Sequence, residues 1–322
     1  LNFADTAEIY GSGHSEELLG AAVKDCRSSI VIGTKFSPEN SSSRHMHEAC
    51  SRSLDRLKTD YIDLYQSHWP NNSIPFKSTI DGFNSLLEKG LIKYVCLCNA
   101  TKHQIKLASS YLPKGKFIGI QQAFNFADRF AEHHLLPTCR NGGRVMIAYS
   151  PLMEGRLLPN DGRRDKMKKI AQESGLTLAQ LIMSWLSQNK SVCIIPKVSK
   201  INHMLDNVNA LEYEMPKSTF NYIDSLYKIR VEKLITSEIN TYSETSRKVY
   251  QSLEEAVANK NNMSPSPKEL SKEYIEGELF KPIKVSHNRN QPKPYTLVEG
   301  GLRYWAWVIA HGFDSRIDAI II

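Results

Sequence analysis

The stretch Leu1–Gly11, LNFADTAEIYG, decides how this chain is read. It is a short apolar strand ending in Asp5, followed by a loop that carries Tyr10. Two later strands reach a titratable residue in the same way, IVIGTKF at Lys35 and YIDLYQSHWP at His68. In a parallel barrel the loops that follow the strands gather catalytic groups at one mouth. Asp5, Tyr10, Lys35 and His68 are therefore expected to share one site.

Outward from that stretch, apolar β-rich runs alternate with amphipathic helical ones as far as residue 212 or so. LNFADTA precedes SEELLGAAVKD, IVIGTKF precedes RHMHEACSRSLDRLKT, and YIDLYQSHW precedes KSTIDGFNSLLEKG. IKYVCLCN, FIGIQQAFN, RVMIAYSPL and SVCIIPKV each lead to a further helix, the third after a polar loop. Such alternation predicts a parallel sheet with helical crossovers. The fold class is α/β, a TIM-type (β/α)8 barrel of which seven strand–helix units are visible. Residues 213–229 read as the last helix of that region, so a first domain is expected over 1–229.

The segments DTAEIYGSGHSEELLG, GTKF and QSHWP resemble the aldo-keto reductase family. The family's usual first strand and helix would lie upstream of Leu1, so the chain is expected to begin at the second unit. The resemblance implies carbonyl reduction by hydride transfer, with Asp5, Tyr10, Lys35 and His68 as the catalytic four. Tyr10 is then the general acid. A free tyrosine has a pKa of about 10, and a nearby ammonium lowers it by roughly 1–3 units. Lys35 fits that role, Asp5 would hold Lys35 charged, and His68 would donate to the substrate carbonyl oxygen. Trp69 either lines the substrate pocket or packs the barrel.

The same resemblance implies NADP(H) as cofactor. No GxGxxG loop is expected in such a barrel, and none occurs. Asn99 and Gln121 match the carboxamide contacts. Cys98 stands where the family usually has serine, and a thiol is the poorer hydrogen-bond partner. Tyr149 matches the aromatic that stacks on the nicotinamide, and Ser150 and Leu152 match the pyrophosphate loop. In IIPKVSKINHMLDNV the turn Lys197, Val198 and Ser199 leads to a helix N-terminus, a natural place for a phosphate. Lys197 matches a 2′-phosphate ligand, His203 replaces the family's arginine, and Asp206 and Asn207 match the adenine pair.

Residues 230–322 change pattern and read as a second, small α/β unit. KLITSEINTY is a predicted strand, SETSRKVYQSLEEAVANK a helix, GLRYWAWVIAHG a helix and SRIDAIII a final strand. PIKVSHN with YTLVEGGLRYWAWVIAHG resembles the ParB/sulfiredoxin-like fold. That resemblance implies a nucleotide (CTP, ATP or ADP) or DNA partner at Gly300, Gly301 and Arg303. The plainer alternative is a structural glycine turn with Arg303 in a salt bridge. Gly301 occupies the place of the sulfiredoxin cysteine, so that chemistry is not expected.

Composition narrows the rest. The formal charge of +7 divides into +6 for residues 1–229 and +1 beyond, too little to make nucleic acid the default partner. No apolar run approaches the roughly 20 residues that span a bilayer, and no signal peptide is visible. Six scattered cysteines predict reduced thiols in a cytoplasmic protein, and no metal site is expected. Two readings stand: a carbonyl reductase with an appended nucleotide module, or a non-catalytic NADP(H) sensor regulating that module.

Overall fold

The computed structural model describes residues 2–71, 73–126, 128–158, 162–228, 231–241, 250–263, 265–276, 280–287 and 291–321. The chain divides into two compact units, Leu1–Tyr227 and Lys228–Ile322. The first is built on seven strands: β1 (Phe3–Asp5), β2 (Val31–Phe36), β3 (Ile62–Ser67), β4 (Ile92–Cys98), β5 (Phe117–Ala123), β6 (Val145–Tyr149) and β7 (Val192–Ile194). They form one sheet in chain order, every neighbour parallel. Among the described residues β1 and β7 are its two edges, and the eighth strand of a (β/α)8 ring is not among them.

Among the described residues ten helices follow or join the strands. They are α1 (His14–Ala22), α2 (Ser43–Leu57), α3 (Phe76–Glu88), α4 (Lys102–Tyr111) and α5 (Phe130–His134). The others are α6 (Leu136–Asn141), α7 (Arg163–Glu173), α8 (Leu178–Ser187), α9 (Ile201–Ala210) and α10 (Lys217–Leu226). Two starts are fixed by capping boxes, Thr101 with Gln104 on α4 and Thr177 with Gln180 on α8. Each satisfies two amides that a helix start otherwise leaves orphaned.

Strand alternation sorts the side chains onto two faces. Ile32, Phe36, Tyr65, Val95, Leu97 and Ile120 join the main core between sheet and helices. Leu64, Cys96 and Ile147, with Phe3 and Cys193, form a separate small cluster on the other face. Asp5, Lys35, Gln66, Cys98 and Gln121 continue that second face toward the strands' C-terminal ends. The polar residues of the chain's site are thus collected by period two alone.

Two segments differ from the sequence expectation. The helix expected after FIGIQQAFN, over DRFAEHHLLPTCRN, is two helices rather than one, because Pro137 cannot continue α5 and instead sits in the first turn of α6. The polar run after β6 contains α7, whose inward stripe is only Met167 and Ala171.

The second unit has a five-stranded mixed sheet in the order β8-β12-β10-β11-β9. Its strands are β8 (Glu232–Ile235), β9 (Ile239–Asn240), β10 (Ile283–His287), β11 (Tyr295–Glu299) and β12 (Arg316–Ile321). Among the described residues three helices belong to it, α11 (Leu253–Val257), α12 (Pro267–Ile275) and α13 (Gly301–His311). KLITSEINTY is therefore not one strand. Thr236–Glu238 turns the chain, with the Thr236 hydroxyl among the carbonyls of Gly312, Phe313 and Ser315, and the two pieces lie on opposite edges. Of the helix expected over SETSRKVYQSLEEAVANK, residues 243–249 lie outside the described ones. Tyr304, Trp305 and Val308 of α13 pack with Val285, Leu297 and Ile317 in a core of the unit's own.

Gly20 shows how closely α1 meets α2. A Cβ at this position would stand 2.5 Å from the carbonyl oxygen of Leu57, which is backbone and cannot swing aside. Gly20→Ala should therefore cost about 2 kcal/mol, the usual scale for overpacking. Urea unfolding of the first unit checks this as a lower midpoint at an unchanged slope.

Candidate active site

Lys35 has no exposed surface, and its charge is answered within the protein. Its ammonium donates to Asp5 Oδ2 and, at 2.8 Å, to the carbonyl of Thr6. Burial works against the charged amine, but Asp5 outweighs it together with Cys98 and Tyr10, and the Lys35 pKa is raised. The pair is placed by parallel pairing of β1 with β2, which sets Asp5 beside Gly33. Lys35 follows two residues on and faces the same way.

Tyr10 lies on the loop beyond β1. That loop is pinned by Glu8, whose Oε1 accepts from the Ser37 amide at 2.6 Å and Asn40 Nδ2 at 2.7 Å. The Tyr10 ring is 41% exposed and lies 5.2 Å from Lys35 Nζ. Its pKa is raised, not lowered as the sequence led one to expect. Desolvation raises it most, Lys35 lowers it, and the Asp5 charge partly cancels Lys35. Tyr10 therefore carries its proton throughout the neutral range.

His68 is buried just after β3. It meets the Tyr10 ring edge-on with centroids 5.5 Å apart, and Trp69 stacks on it at 3.8 Å. Burial, aided by the Lys35 charge, pushes its pKa down to about 4. The ring is thus neutral near pH 7. Its Nδ1 is enclosed and has no partner among the described residues. An unpaired buried N–H is costly, so we assign the proton to Nε2, which leaves that nitrogen as the donor. Trp69 is itself 42% exposed and forms part of the site's wall.

The four residues read from the sequence are thus brought together. Among the predicted cofactor contacts, Asn99, Gln121 and Tyr149 join them. Asn99 follows β4 in the left-handed region at φ 55°. Its Nδ2 donates to the His68 carbonyl at 3.1 Å, and its Oδ1 accepts from the Tyr149 hydroxyl at 2.9 Å. Burial pushes the Tyr149 phenol up to about 12. Gln121 Nε2 donates to Asp5 Oδ1 at 2.9 Å. The Cys98 thiol is turned inward, 3.6 Å from Gln66 Oε1, and is enclosed there.

Sequence reasoning missed Gln66. Its Nε2 donates to Asp5 Oδ1 at 2.9 Å and its Oε1 accepts from Gln121 at 3.2 Å. The available signal was a polar residue at an inward position of a run otherwise read as buried strand.

Ser150 and Leu152 open a loop rich in left-handed residues, Ser150, Met153, Glu154, Gly155 and Leu157. Such turns point successive N–H groups into concavities that suit anions. Lys197, Val198, Ser199, His203 and Asp206 are exposed along the turn after β7 and the first half of α9, and Asn207 is half-buried. No side chain caps α9, so its first amides stay open to a ligand. In the second unit Arg303 is engaged by the protein itself. It donates to the carbonyls of Lys281 and Pro282 and lies 3.6 Å from Glu299. Its guanidinium also lies against Gly300, where a Cβ would stand 2.9 Å from it. Among the described residues no three His, Cys, Asp or Glu side chains gather as a metal site.

Comparison with known proteins settles the family. The family model described as "Aldo/keto reductase family" matches residues 1–228. The chain belongs to the aldo/keto reductase family. Methylglyoxal reductase YeaE of Escherichia coli (strain K12) is 31% identical over 229 residues, which are 70% of this chain and 80% of that protein. An aldo/keto reductase from Klebsiella pneumoniae, solved with NADP and acetate, is 32% identical with a TM-score of 0.65. The match covers 70% of this chain and 80% of that one. The thermostable aldo-keto reductase Tm1743, solved with the inhibitor epalrestat, is 34% identical with a TM-score of 0.65, covering 69% and 81%. The family is one of NADP(H)-dependent reductases. The match ends where the first compact unit of this aldo/keto reductase ends.

The depressed His68 pKa has a measurable sign. Between pH 6.5 and about pH 4 the unfolded chain takes up a proton here before the folded protein does. Folding stability therefore falls as pH drops through that window, by at most about 3 kcal/mol from this residue. Urea midpoints at about pH 7 and about pH 4.5 should differ less in His68→Gln than in the wild type.

Proposed function

We propose that the first unit reduces a small aldehyde or ketone to the alcohol, with Tyr10 as the general acid and NADPH as reductant. The observation that carries this is the meeting of Tyr10, the buried Lys35–Asp5 pair and neutral His68 at one mouth. When bound, the cofactor supplies the hydride to the carbonyl carbon. Tyr10 gives its proton to the carbonyl oxygen, and His68 Nε2–H donates to the same oxygen as charge develops there. Lys35 stabilises the phenolate that remains, and Asp5 keeps Lys35 oriented. Asn99 and Gln121 hold the carboxamide and Tyr149 takes the ring face. Cys98 supports Gln121 through Gln66. Ser150 and Leu152 take the pyrophosphate. Lys197, Val198, Ser199 and His203 take the 2′-phosphate end, and Asp206 and Asn207 the adenine. The uncapped start of α9 supports this placement. The likeness to a methylglyoxal reductase makes a small 2-oxoaldehyde the first substrate to try. All six cysteines are free thiols, which fits a cytoplasmic enzyme.

NADPH oxidation with methylglyoxal tests the reading. Turnover is expected, with Tyr10→Phe slower by about 100- to 10,000-fold. NADPH binding without turnover of any aldehyde would instead favour a cofactor-sensing barrel.

For the second unit we infer a ParB-like site for nucleotide phosphate. It is supported by Gly300 in the left-handed region at the start of α13 and by Lys281 and Lys284, both paired with Glu299 beside it. Equilibrium dialysis of CTP and ATP checks it. Binding that weakens about 10-fold in Lys284→Ala is expected, and no binding of either nucleotide would overturn it.

A further inference from the structure

Gln66 belongs neither to the four catalytic positions nor to the cofactor contacts, yet it touches both sets. It stands on β3 two residues before His68 and has no exposed surface. Nε2 donates to Asp5 Oδ1 at 2.9 Å. Oε1 accepts from Gln121 Nε2 at 3.2 Å and faces Cys98 Sγ at 3.6 Å. A Cβ on Gly33 would lie 3.0 Å from Gln66 Nε2, so the amide also lies close against β2.

The directions of these bonds follow from Asp5. Paired with Lys35, its carboxylate can only accept. Both amides must therefore face it with nitrogen. The oxygen of Gln66 is thereby turned to Gln121. The nitrogen of Gln121 then spends one N–H on Asp5 and the other on Gln66. An amide has two N–H donors and one carbonyl. What Gln121 has left for a ligand is its oxygen.

We propose that Gln66 is a positioning residue that locks the Gln121 amide nitrogen-inward, so that the site accepts an N–H and selects a cofactor bearing a primary carboxamide. The inference rests on the reading of Gln121 as a nicotinamide contact, and it extends that reading to a side chain that never meets the cofactor. A methyl ketone in place of the carboxamide offers no N–H to Gln121. It leaves that buried oxygen without a partner, worth about 10-fold in affinity. Without Gln66, only the Asp5 bond holds the Gln121 nitrogen, so the amide can pivot on that bond and bring its second N–H round to a ketone oxygen as well.

The test is fluorescence titration of the full chain with NADPH and with its reduced 3-acetylpyridine analogue. The wild type is expected to prefer NADPH by about 10-fold. In Gln66→Met, similar in shape but unable to hold the second N–H, the preference should narrow to about twofold. Gln66→Glu, whose buried carboxyl must hold a proton to face Asp5, donates to Asp5 and keeps its carbonyl oxygen toward Gln121, so it should restore most of the preference, which a purely structural role would not predict. Melting curves show whether each variant folds. Should Gln66→Met not fold, Gly33→Ala, which crowds the amide without removing it, reads the same ratio. An unchanged preference in the folded variants, or none in the wild type, overturns the role of Gln66 and leaves the cofactor reading standing. Failure of the wild type to bind NADPH at all overturns both.

Discussion

The buried ion pair between Lys35 and Asp5 is the constraint on which the first unit's chemistry depends. Removing two charges from water is expensive, and their attraction offsets that cost only when the remaining donors and acceptors are also met. Here they are. Asp5 takes Lys35 on one oxygen and two amides, Gln66 and Gln121, on the other. Lys35 adds the Thr6 carbonyl. The pair exists because β1 and β2 run parallel in a fixed register, and a slip of one residue would turn Lys35 to the opposite face. Sheet register and site chemistry are in this sense one requirement.

The pair also sets the behaviour of Tyr10. A lone buried lysine beside a phenol would draw off its proton. A lysine already matched by a carboxylate exerts a weaker field, and burial of the ring prevails. The result is a tyrosine that keeps its proton at neutral pH with a cation at hand for the phenolate, which is what a proton donor in carbonyl reduction requires. The same lysine adds to the burial that keeps His68 neutral. One ammonium thus helps to fix the protonation of both groups that, in the proposed reaction, face the substrate.

Much of this was legible in the residues, and the limits are physical. Strands buried on both faces leave strong apolar runs, so β2 to β6 and the ends that carry Lys35 and His68 stood out. Gln66 did not, because a single polar side chain in a buried run acquires meaning only when its long-range partners are known. The net direction of the Tyr10 shift was hidden for a similar reason. Whether Lys35 or burial prevails depends on enclosure and on Asp5, not on the local motif. The split of KLITSEINTY is a third instance. Its two halves pair with β12 and β11, strands that come later in the chain and lie on opposite sides of β10. Pro137, by contrast, was visible, and the break between α5 and α6 follows from it.

The site has a dry side and a wet side, and the division bears on catalysis. Lys35, Gln66, Cys98 and Gln121 are enclosed, whereas Tyr10, Trp69 and Ile9 reach solvent. Hydrogen bonds among enclosed groups are strong and keep their direction, since no water competes for them. Tyr10 sits on the boundary. Its electrostatic surroundings are set from the enclosed side, and in the proposed reaction its proton would be replaced from the open side after each transfer. A tyrosine moved fully inward would lose that supply, and one moved fully outward would lose the lysine. The pinning of its loop by Glu8, Ser37 and Asn40 holds it between the two.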